Sequence, residues 1–180
     1  MTNSQSFPSG FVWGVATSAY QIEGAHDADG RSFSIWDSFS RKPGAVADGD
    51  TGDRACEHYY RYPEDVKLMA ELGIRHYRFS VSWPRIHPAE GQTSREGLAF
   101  YRSLLDELKR HGIEPLVTIY HWDLPQWIED EGGWANRRTV ERFERFADVL
   151  FREFGADVPK WITINEPWCA AMLGYGTGEH

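Results

Sequence analysis

An Asn-Glu pair at the end of a strand-like segment offers the clearest chemistry in the chain. Asn165 and Glu166 follow the β-branched run 162–164, and Pro167 comes directly after them. β-branched residues favour strands, and proline has no N–H to continue a strand ladder, so pairing should stop there. A carboxyl group at the C-terminal rim of a parallel strand stands where such sheets carry catalytic groups. The same octapeptide, residues 160–167, is equally compatible with a surface glutamate at the start of a loop.

Four short apolar segments are predicted as the strands that would position this pair. They cover residues 10–17, 74–81, 114–121 and 160–166. Each is mostly apolar, as parallel strands buried on both faces should be. Segments with helical periodicity lie between them, which suits strand-helix repeats joined by right-handed crossovers.

Capping residues, proline and glycine predict the helix boundaries. Pro63 suits the first position of one helix, because its missing N–H would have no partner there. Thr93, with Glu96 three residues later, predicts a capping box at the start of a second helix. The helices are expected to end at glycines, which readily close a helical turn; these are Gly73, Gly112 and Gly155.

The number of strand-helix units predicts part of a barrel. Four units, or nearly four, are visible, whereas a complete TIM (β/α)8 barrel usually needs about 250 residues. The predicted fold class is therefore α/β, the first half of a TIM barrel with about four parallel strands, each followed by a helix. A four-stranded doubly wound sheet is the competing architecture. It would want a Gly-rich phosphate turn after the first strand, and residues 16–21 contain none.

Composition restricts the classes of partner and the compartment. A net charge of −8 without a basic run argues against nucleic acid and anionic membranes. Residues 1–9 lack the apolar core of an export signal, and no segment approaches the roughly 20 apolar residues of a membrane span. Cys56 and Cys169 have no metal-knot or CxxC spacing, so reduced thiols, no metal and no cofactor are expected. These features predict a cytoplasmic protein with neutral partners.

Four motifs in order resemble glycoside hydrolase family 1, the β-glucosidase family. They are residues 11–25, 77–86, 120–125 and 163–167, and together they extend over nearly the whole chain. The resemblance implies a TIM barrel that hydrolyses small β-linked glucosides, or related glycosides, with retention of configuration. It also implies that residues 1–180 form the N-terminal half of a single barrel domain, truncated after the fourth strand.

The resemblance implies a role for each matching site residue. Glu166 would be the general acid/base that protonates the departing glycosidic oxygen, and Asn165 would hydrogen-bond the sugar 2-hydroxyl. Arg78 would lie beside the family's nucleophile and keep that carboxylate ionised. The remaining positions would contact substrate, with Gln21, His121 and Trp122 at the glycone and Trp168 and Leu173 at the aglycone entrance.

Residue chemistry agrees with these roles and leaves one ambiguity. Sugar hydroxyls both donate and accept hydrogen bonds, so Gln, His and Asn side chains, which combine both capacities, are suited to bind them. Glu23 and Asp123 lie inside motifs near strand ends, where a catalytic role is conceivable. The resemblance implies that both are structural acceptors instead.

One part of the implied chemistry has no counterpart in the chain. Retaining hydrolysis needs a second carboxylate about 5 Å from the first. The family's nucleophilic glutamate lies in a Glu-Asn-Gly motif on a later strand, and that motif does not occur here. We therefore expect the chain to supply the acid/base but not the nucleophile of a retaining β-glucosidase whose activity belongs to a longer parent.

A non-catalytic role is the alternative hypothesis. In it the half-barrel binds sugar weakly or complements a separate C-terminal chain. The chain ends in the loop after the fourth strand with no terminal helix expected there, which favours truncation. Half a barrel also leaves open sheet edges, so self-association of the isolated chain is expected.

Overall fold

The computed structural model describes residues 6–178, and within them four parallel strands form one sheet in the order β1-β2-β3-β4. The strands are β1 (Gly14–Ala16), β2 (His76–Ser80), β3 (Glu114–Tyr120) and β4 (Lys160–Ile164). Consecutive strands are neighbours and every pair is parallel. This confirms the predicted fold class: an open α/β sheet that matches the first half of a TIM barrel.

Helices connect the strands and cover one face of the sheet. They are α1 (Ala19–Ile22), α2 (Ile35–Ser40), α3 (His58–Glu71), α4 (Trp83–Ile86), α5 (Arg95–Arg110), α6 (Gln126–Glu129) and α7 (Arg138–Phe154). Short 3-10 turns lie at Ala28–Gly30, Ala47–Gly49 and Gly133–Ala135. None of the helices between residues 6 and 178 is both long and apolar enough to cross a lipid bilayer.

The core lies between the sheet and the long helices α3, α5 and α7. Phe79 of β2 and Val117 of β3 point into it, and both are almost fully buried. Leu104, Leu108 and Leu150 contribute from the helices. Alternate strand residues, such as Arg78 and Thr118, lie on the opposite face, which is the interior face of a barrel. The segments that were predicted to be helical from their periodicity therefore pack against the sheet.

The first predicted strand was too long and was wrongly expected to be buried. Only Gly14–Ala16 pairs, and all three residues are exposed. β1 has β2 on one side only, so its outer edge remains open among the described strands. Gly14 lies so close to β2 that an added Cβ would be 2.7 Å from the His76 carbonyl oxygen. Glycine therefore permits the close approach of the two strands.

Two predicted helix starts were also wrong. Pro63 lies inside α3, which begins at His58. In the first turn of this helix the Tyr59 N–H donates a hydrogen bond to the carbonyl oxygen of Glu23, and this tertiary contact stabilises the earlier start. Ser94, not Thr93, caps α5, and its hydroxyl accepts from the Gly97 N–H at 3.0 Å.

The predicted helix ends agree better with the structure, with one addition. Gly73 and Gly112 follow their helices with φ of 77° and 65°, the left-handed conformation that favours glycine, and α7 ends just before Gly155. The expectation of no terminal helix was wrong, because Cys169–Gly176 forms a π-helix after β4. An apolar, alanine-containing segment that follows Pro167 favours a helical turn at that point.

Candidate active site

An arginine joins three strands at the C-terminal rim of the sheet. Arg78 Nη2 donates to Asn165 Oδ1 at 2.5 Å, and Arg78 Nε donates to Thr118 Oγ1 at 3.0 Å. A guanidinium can only donate, so the amide oxygen of Asn165 must face it. The Asn165 NH2 group is therefore left for other acceptors, which is the orientation that a hydroxyl-binding amide needs.

Asn165 is also held through its main chain. Its N–H donates to the carbonyl oxygen of Tyr120 at 2.9 Å and continues the pairing of β4 with β3. Its carbonyl oxygen accepts from the Trp122 indole Nε1 at 2.8 Å. The residue is 9% exposed, so three hydrogen bonds hold a nearly buried asparagine at the strand end.

Glu166 leaves the strand in a left-handed conformation. Its φ is 44°, and Trp122 opposite has a φ of 72°; both values are uncommon for residues other than glycine. Strained backbone of this kind is concentrated at functional sites. Glu166 is exposed, and its Oε2 accepts from Cys169 Sγ at 3.6 Å, three residues later. The carboxyl group is thus exposed and contacts the first residue of the π-helix.

His121 lies within the electrostatic reach of both Arg78 and Glu166. Partial burial, followed by the positive charge of Arg78, lowers the pKa of His121, while Glu166 acts in the opposite direction. The ring is therefore neutral at neutral pH and can donate from one nitrogen and accept at the other. Its Nδ1 is buried and has no hydrogen-bond partner among residues 6–178.

The structure does not connect the remaining predicted residues to this centre. Gln21 is an exposed residue of α1 that accepts from Ser18 Oγ at 2.7 Å. Trp168 is 64% exposed, and Leu173 is half-buried on the π-helix. Within residues 6–178 none of the three has a side-chain hydrogen bond to Arg78 or Asn165. Their substrate-binding roles stay predictions.

Glu23 is a buried structural acceptor. It accepts from the Tyr101 hydroxyl at 2.5 Å and from Arg85 Nε at 3.2 Å. Arg85 is fully buried, with its guanidinium 4.4 Å from the centre of the Tyr59 ring. This pair fixes the loop after α1, which begins just beyond Gln21, and agrees with the role implied for Glu23 by the resemblance.

Asp123 is a buried carboxyl group without a hydrogen-bond partner. Both of its side-chain oxygens are unpaired among the described residues, and the residue is 1% exposed. Burial raises the pKa of Asp123 to about 7, with Arg31 opposing the rise and Glu23 adding to it. The carboxyl group is therefore largely protonated below neutral pH and does not match a catalytic base in contact with solvent.

Asp123 should make the stability of the chain fall as pH rises. Its pKa is raised from 3.8 to about 7 on folding, so the folded state holds the proton more tightly than the unfolded state. The stabilising effect is complete below about pH 4 and is lost as pH rises through about 7, at up to about 1.4 kcal/mol per pH unit. Asp123→Asn should flatten this decline in urea unfolding between pH 5 and pH 8. Asp148→Asn, at an exposed position, is the control; equal slopes for both variants would contradict the assignment.

Two residues of the site were missed at the level of sequence. Thr118 is a fully buried residue of β3. A single hydroxyl among the apolar residues of this strand is the sequence pattern that could have identified it. Cys169 contacts Glu166 from the next helical turn, where i, i+3 side chains meet. Burial, followed by the Glu166 carboxylate, raises the pKa of the Cys169 thiol.

An aromatic cleft borders the rim on the side of α2. Trp36 and Trp122 lie nearly parallel, with ring centroids 6.5 Å apart and planes at 24°. Both rings line a cavity of about 180 Å³, whose walls also include Phe39, Tyr175 and Cys169. Aromatic faces complement apolar C–H surfaces, so the cleft can accept the flat face of a small organic ligand.

A carboxyl group, an amide and an imidazole lie at the C-terminal rim of the parallel strands, the position at which TIM-barrel enzymes carry their active sites. Comparison with known proteins names the family. The model of glycosyl hydrolase family 1 matches residues 3–180, and the chain belongs to this family. The chain is 53% identical to beta-glucosidase A of Acetivibrio thermocellus over 176 residues, which are 97% of this chain and 39% of that protein. It is 58% identical to thermostable beta-glucosidase B of Thermobispora bispora over 174 residues, 96% of this chain and 36% of that protein.

Solved structures give the same result. The family 1 β-glucosidase from Thermotoga maritima superimposes with a TM-score of 0.95 and 52% identity, over 99% of this chain and 40% of that one. The AHE enzyme from Alicyclobacillus herbarius superimposes with a TM-score of 0.95 and 56% sequence identity, over 98% of this chain and 40% of that chain. The chain therefore spans about 40% of the length of these two solved relatives.

Proposed function

We propose that this chain is the N-terminal half of a single barrel domain, residues 1–180, that acts as a retaining β-glucosidase when complete. In this proposal Glu166 is the general acid/base, and a later segment supplies the nucleophile. The observation that carries it is the Arg78–Asn165–Trp122 network, because these bonds fix the turn on which Glu166 stands. Relatives named beta-glucosidase A support the substrate class.

Arg78 is suited to hold the second carboxylate. Its Nε and Nη2 are engaged by Thr118 and Asn165, whereas Nη1 makes no hydrogen bond within the part of the chain that the structure describes. A guanidinium with one edge fixed by the sheet presents a donor and a positive charge to the rim. A carboxylate placed there stays ionised, as a nucleophile must.

The proposed cycle uses the Glu166 carboxyl group twice. Glu166 first donates its proton to the glycosidic oxygen while the nucleophile attacks the anomeric carbon, so the C–O bond breaks and a glycosyl-enzyme forms. The Glu166 carboxylate then takes a proton from water, which attacks the same carbon and releases the sugar and the nucleophile. Exposure of Glu166 at the rim suits contact with both a leaving group and water.

Neutral hydrogen-bonding groups would hold the glycone. The Asn165 NH2, neutral His121 and Gln21 can each meet a hydroxyl, and Trp122 offers an aromatic face. Structures of the Thermotoga maritima β-glucosidase in complex with deoxynojirimycin and castanospermine show that this relative binds small molecules. We assign Trp168 and Leu173 to the aglycone entrance on the same proposal.

The partner implied by the proposal is the rest of the domain. The outer edges of β1 and β4 have no strand beside them among the described residues. Trp13, next to β1, and Val15, within it, are exposed apolar side chains. Until these are covered, the isolated chain is expected to self-associate through its open edges. We place the protein in the cytoplasm, since Cys56 and Cys169 are unpaired thiols.

A chimera tests the function directly. Residues 1–180 are joined to the remaining C-terminal part of Thermotoga maritima β-glucosidase A, which is 52% identical to this chain where the two align. We expect the chimera to hydrolyse aryl β-glucosides, because both carboxylates are then present, and residues 1–180 alone to be inactive. A folded but inactive chimera, or full activity of residues 1–180 alone, would refute the proposal.

A further inference from the structure

A second cavity lies on the helix side of the sheet, apart from the candidate active site. Its volume is about 240 Å³, and its walls come from residues 83–149, which belong to the connections between β2 and β4. The ring of His87 in its wall packs on Phe146 of α7, with centroids 5.6 Å apart. None of the described wall residues belongs to the Arg78–Asn165–Glu166 site, so the cavity needs its own explanation.

His87 offers this cavity a neutral imidazole with both nitrogens available. Within residues 6–178 neither nitrogen has a hydrogen-bond partner, yet the residue is only half-buried and neither nitrogen is closed off from solvent. Burial, followed by the charge of Arg145, lowers the pKa of His87 to about 4, with Glu90 opposing the shift. The ring is therefore neutral at neutral pH and presents one donor and one acceptor to a ligand.

The charged groups around the cavity neutralise one another. Arg142 donates through Nε to Glu90 Oε2 and through Nη2 to Glu131 Oε2, both at 2.6 Å. Arg145 Nη2 donates to Glu90 Oε1 at 3.0 Å. Two guanidiniums are thus matched by two carboxylates. An ionic ligand would have to displace one of these partners, whereas a neutral ligand leaves the network intact.

The other walls combine an aromatic surface with neutral polar groups. Trp127 is half-buried, and its Nε1 donates to the carbonyl oxygen of His87 at 3.3 Å, which fixes the indole beside the histidine. Gln92 and Thr93 are exposed, and each can both donate and accept. Asp148, the other carboxylate in the wall, is already paired with an arginine on α7. An apolar face and groups of mixed hydrogen-bonding capacity are what a sugar ring needs.

We propose that this cavity is a binding site for a neutral hexopyranose, in which His87 and Gln92 hydrogen-bond sugar hydroxyls and Trp127 packs on the C–H groups of the ring. The volume is below the range of drug-sized ligand sites, which suits a ligand of one ring. The dissociation constant is expected at about 1–10 mM, since a few hydrogen bonds must offset the lost freedom of the ligand. The site is independent of the proposed function, because it uses none of the catalytic residues.

Titration of residues 1–180 with D-glucose tests the site. We expect saturable shifts of the His87 ring nitrogens and of the Trp127 indole N–H in ¹⁵N spectra. His87→Phe keeps a ring against Phe146 but removes both nitrogens, so it should raise the dissociation constant at least tenfold, measured at the indole. Gln92→Ala changes an exposed residue that does not threaten folding, and it should raise the constant about threefold.

Two control variants separate this cavity from other locations. Asn165→Ala removes the amide at the sheet rim, and His111→Phe replaces a half-buried histidine outside the cavity. Neither should change the glucose dissociation constant. Binding that is lost in Asn165→Ala and kept in His87→Phe would place the sugar at the rim and overturn the proposal. The absence of saturable shifts up to about 100 mM glucose, ten times the highest expected constant, would also overturn it.

Inorganic phosphate at matched ionic strength tests the chemical class of the ligand. We expect no saturable shift of the Trp127 indole, because the guanidiniums are already paired. Saturation by phosphate and not by glucose would refute the neutral ligand. Hydrolysis of aryl β-glucosides by the chimera is measured separately. An inactive chimera with glucose binding intact in residues 1–180 defeats only the catalytic proposal, whereas an active chimera without that binding defeats only this one.

Discussion

Glu166→Gln in the chimera should lower kcat by about 10²–10⁴-fold for glucosides with poor leaving groups, the usual contribution of general acid catalysis. Activated aryl glucosides should be affected much less in the step that breaks the glycosidic bond, because their leaving groups depart without a proton. The measurement is kcat/KM for a series of aryl β-glucosides ordered by leaving-group acidity. It isolates bond cleavage, whereas kcat for activated substrates also reports the later attack of water.

The control for this series is an exposed glutamate away from the rim. Glu64→Gln on α3 removes only a surface contact with Arg61 and should leave kcat/KM unchanged for every substrate. A loss for Glu166→Gln that is the same for good and poor leaving groups would show that Glu166 does not donate the proton. The network around Asn165 would then have to position another acid.

Strand prediction worked for β2, β3 and β4. Their predicted bounds agree with the structure to two residues or fewer at each end, although β4 is only half-buried or exposed. Prediction failed at β1 because residues 10–13 are apolar without being paired or buried. Apolar character alone does not tell an edge strand in half a barrel from a central one. The error has a physical reason: the partner that would bury this edge is not among the described strands.

The candidate site was predictable in its residue types but not in its contacts. Position at a strand end singled out Asn165 and Glu166, and the structure places both at the rim of the sheet. The bond from Arg78 to Thr118 depends on the register of two strands that are far apart in sequence. The raised pKa of Asp123 depends on its burial and on the nearby charges of Arg31 and Glu23, which are distant in sequence. Single-sequence patterns report neither, since both follow from tertiary packing.

Arg85→Met should destabilise the chain by about 3–5 kcal/mol, the usual cost of breaking a buried ion pair from one side. The arginine side chain is 0% exposed, and its partner Glu23 is 5% exposed. Removal of the guanidinium leaves the Glu23 carboxylate buried, and among residues 6–178 the Tyr101 hydroxyl is then its one remaining side-chain donor. It also deprives the carbonyl oxygens of Gly24 and Ala25 of bonds of 3.3 Å each.

Arg54→Met provides the matched comparison. Arg54 also pairs with a glutamate, Glu57 at 3.1 Å, but its side chain is 82% exposed. Surface pairs contribute little, so this variant should lie within about 0.5 kcal/mol of the unmutated chain in urea unfolding. Adding Glu23→Gln to Arg85→Met should recover part of the loss, because no uncompensated charge then remains buried. If Arg85→Met were no more destabilising than Arg54→Met, the buried pair would not be what holds the loop beyond Gln21.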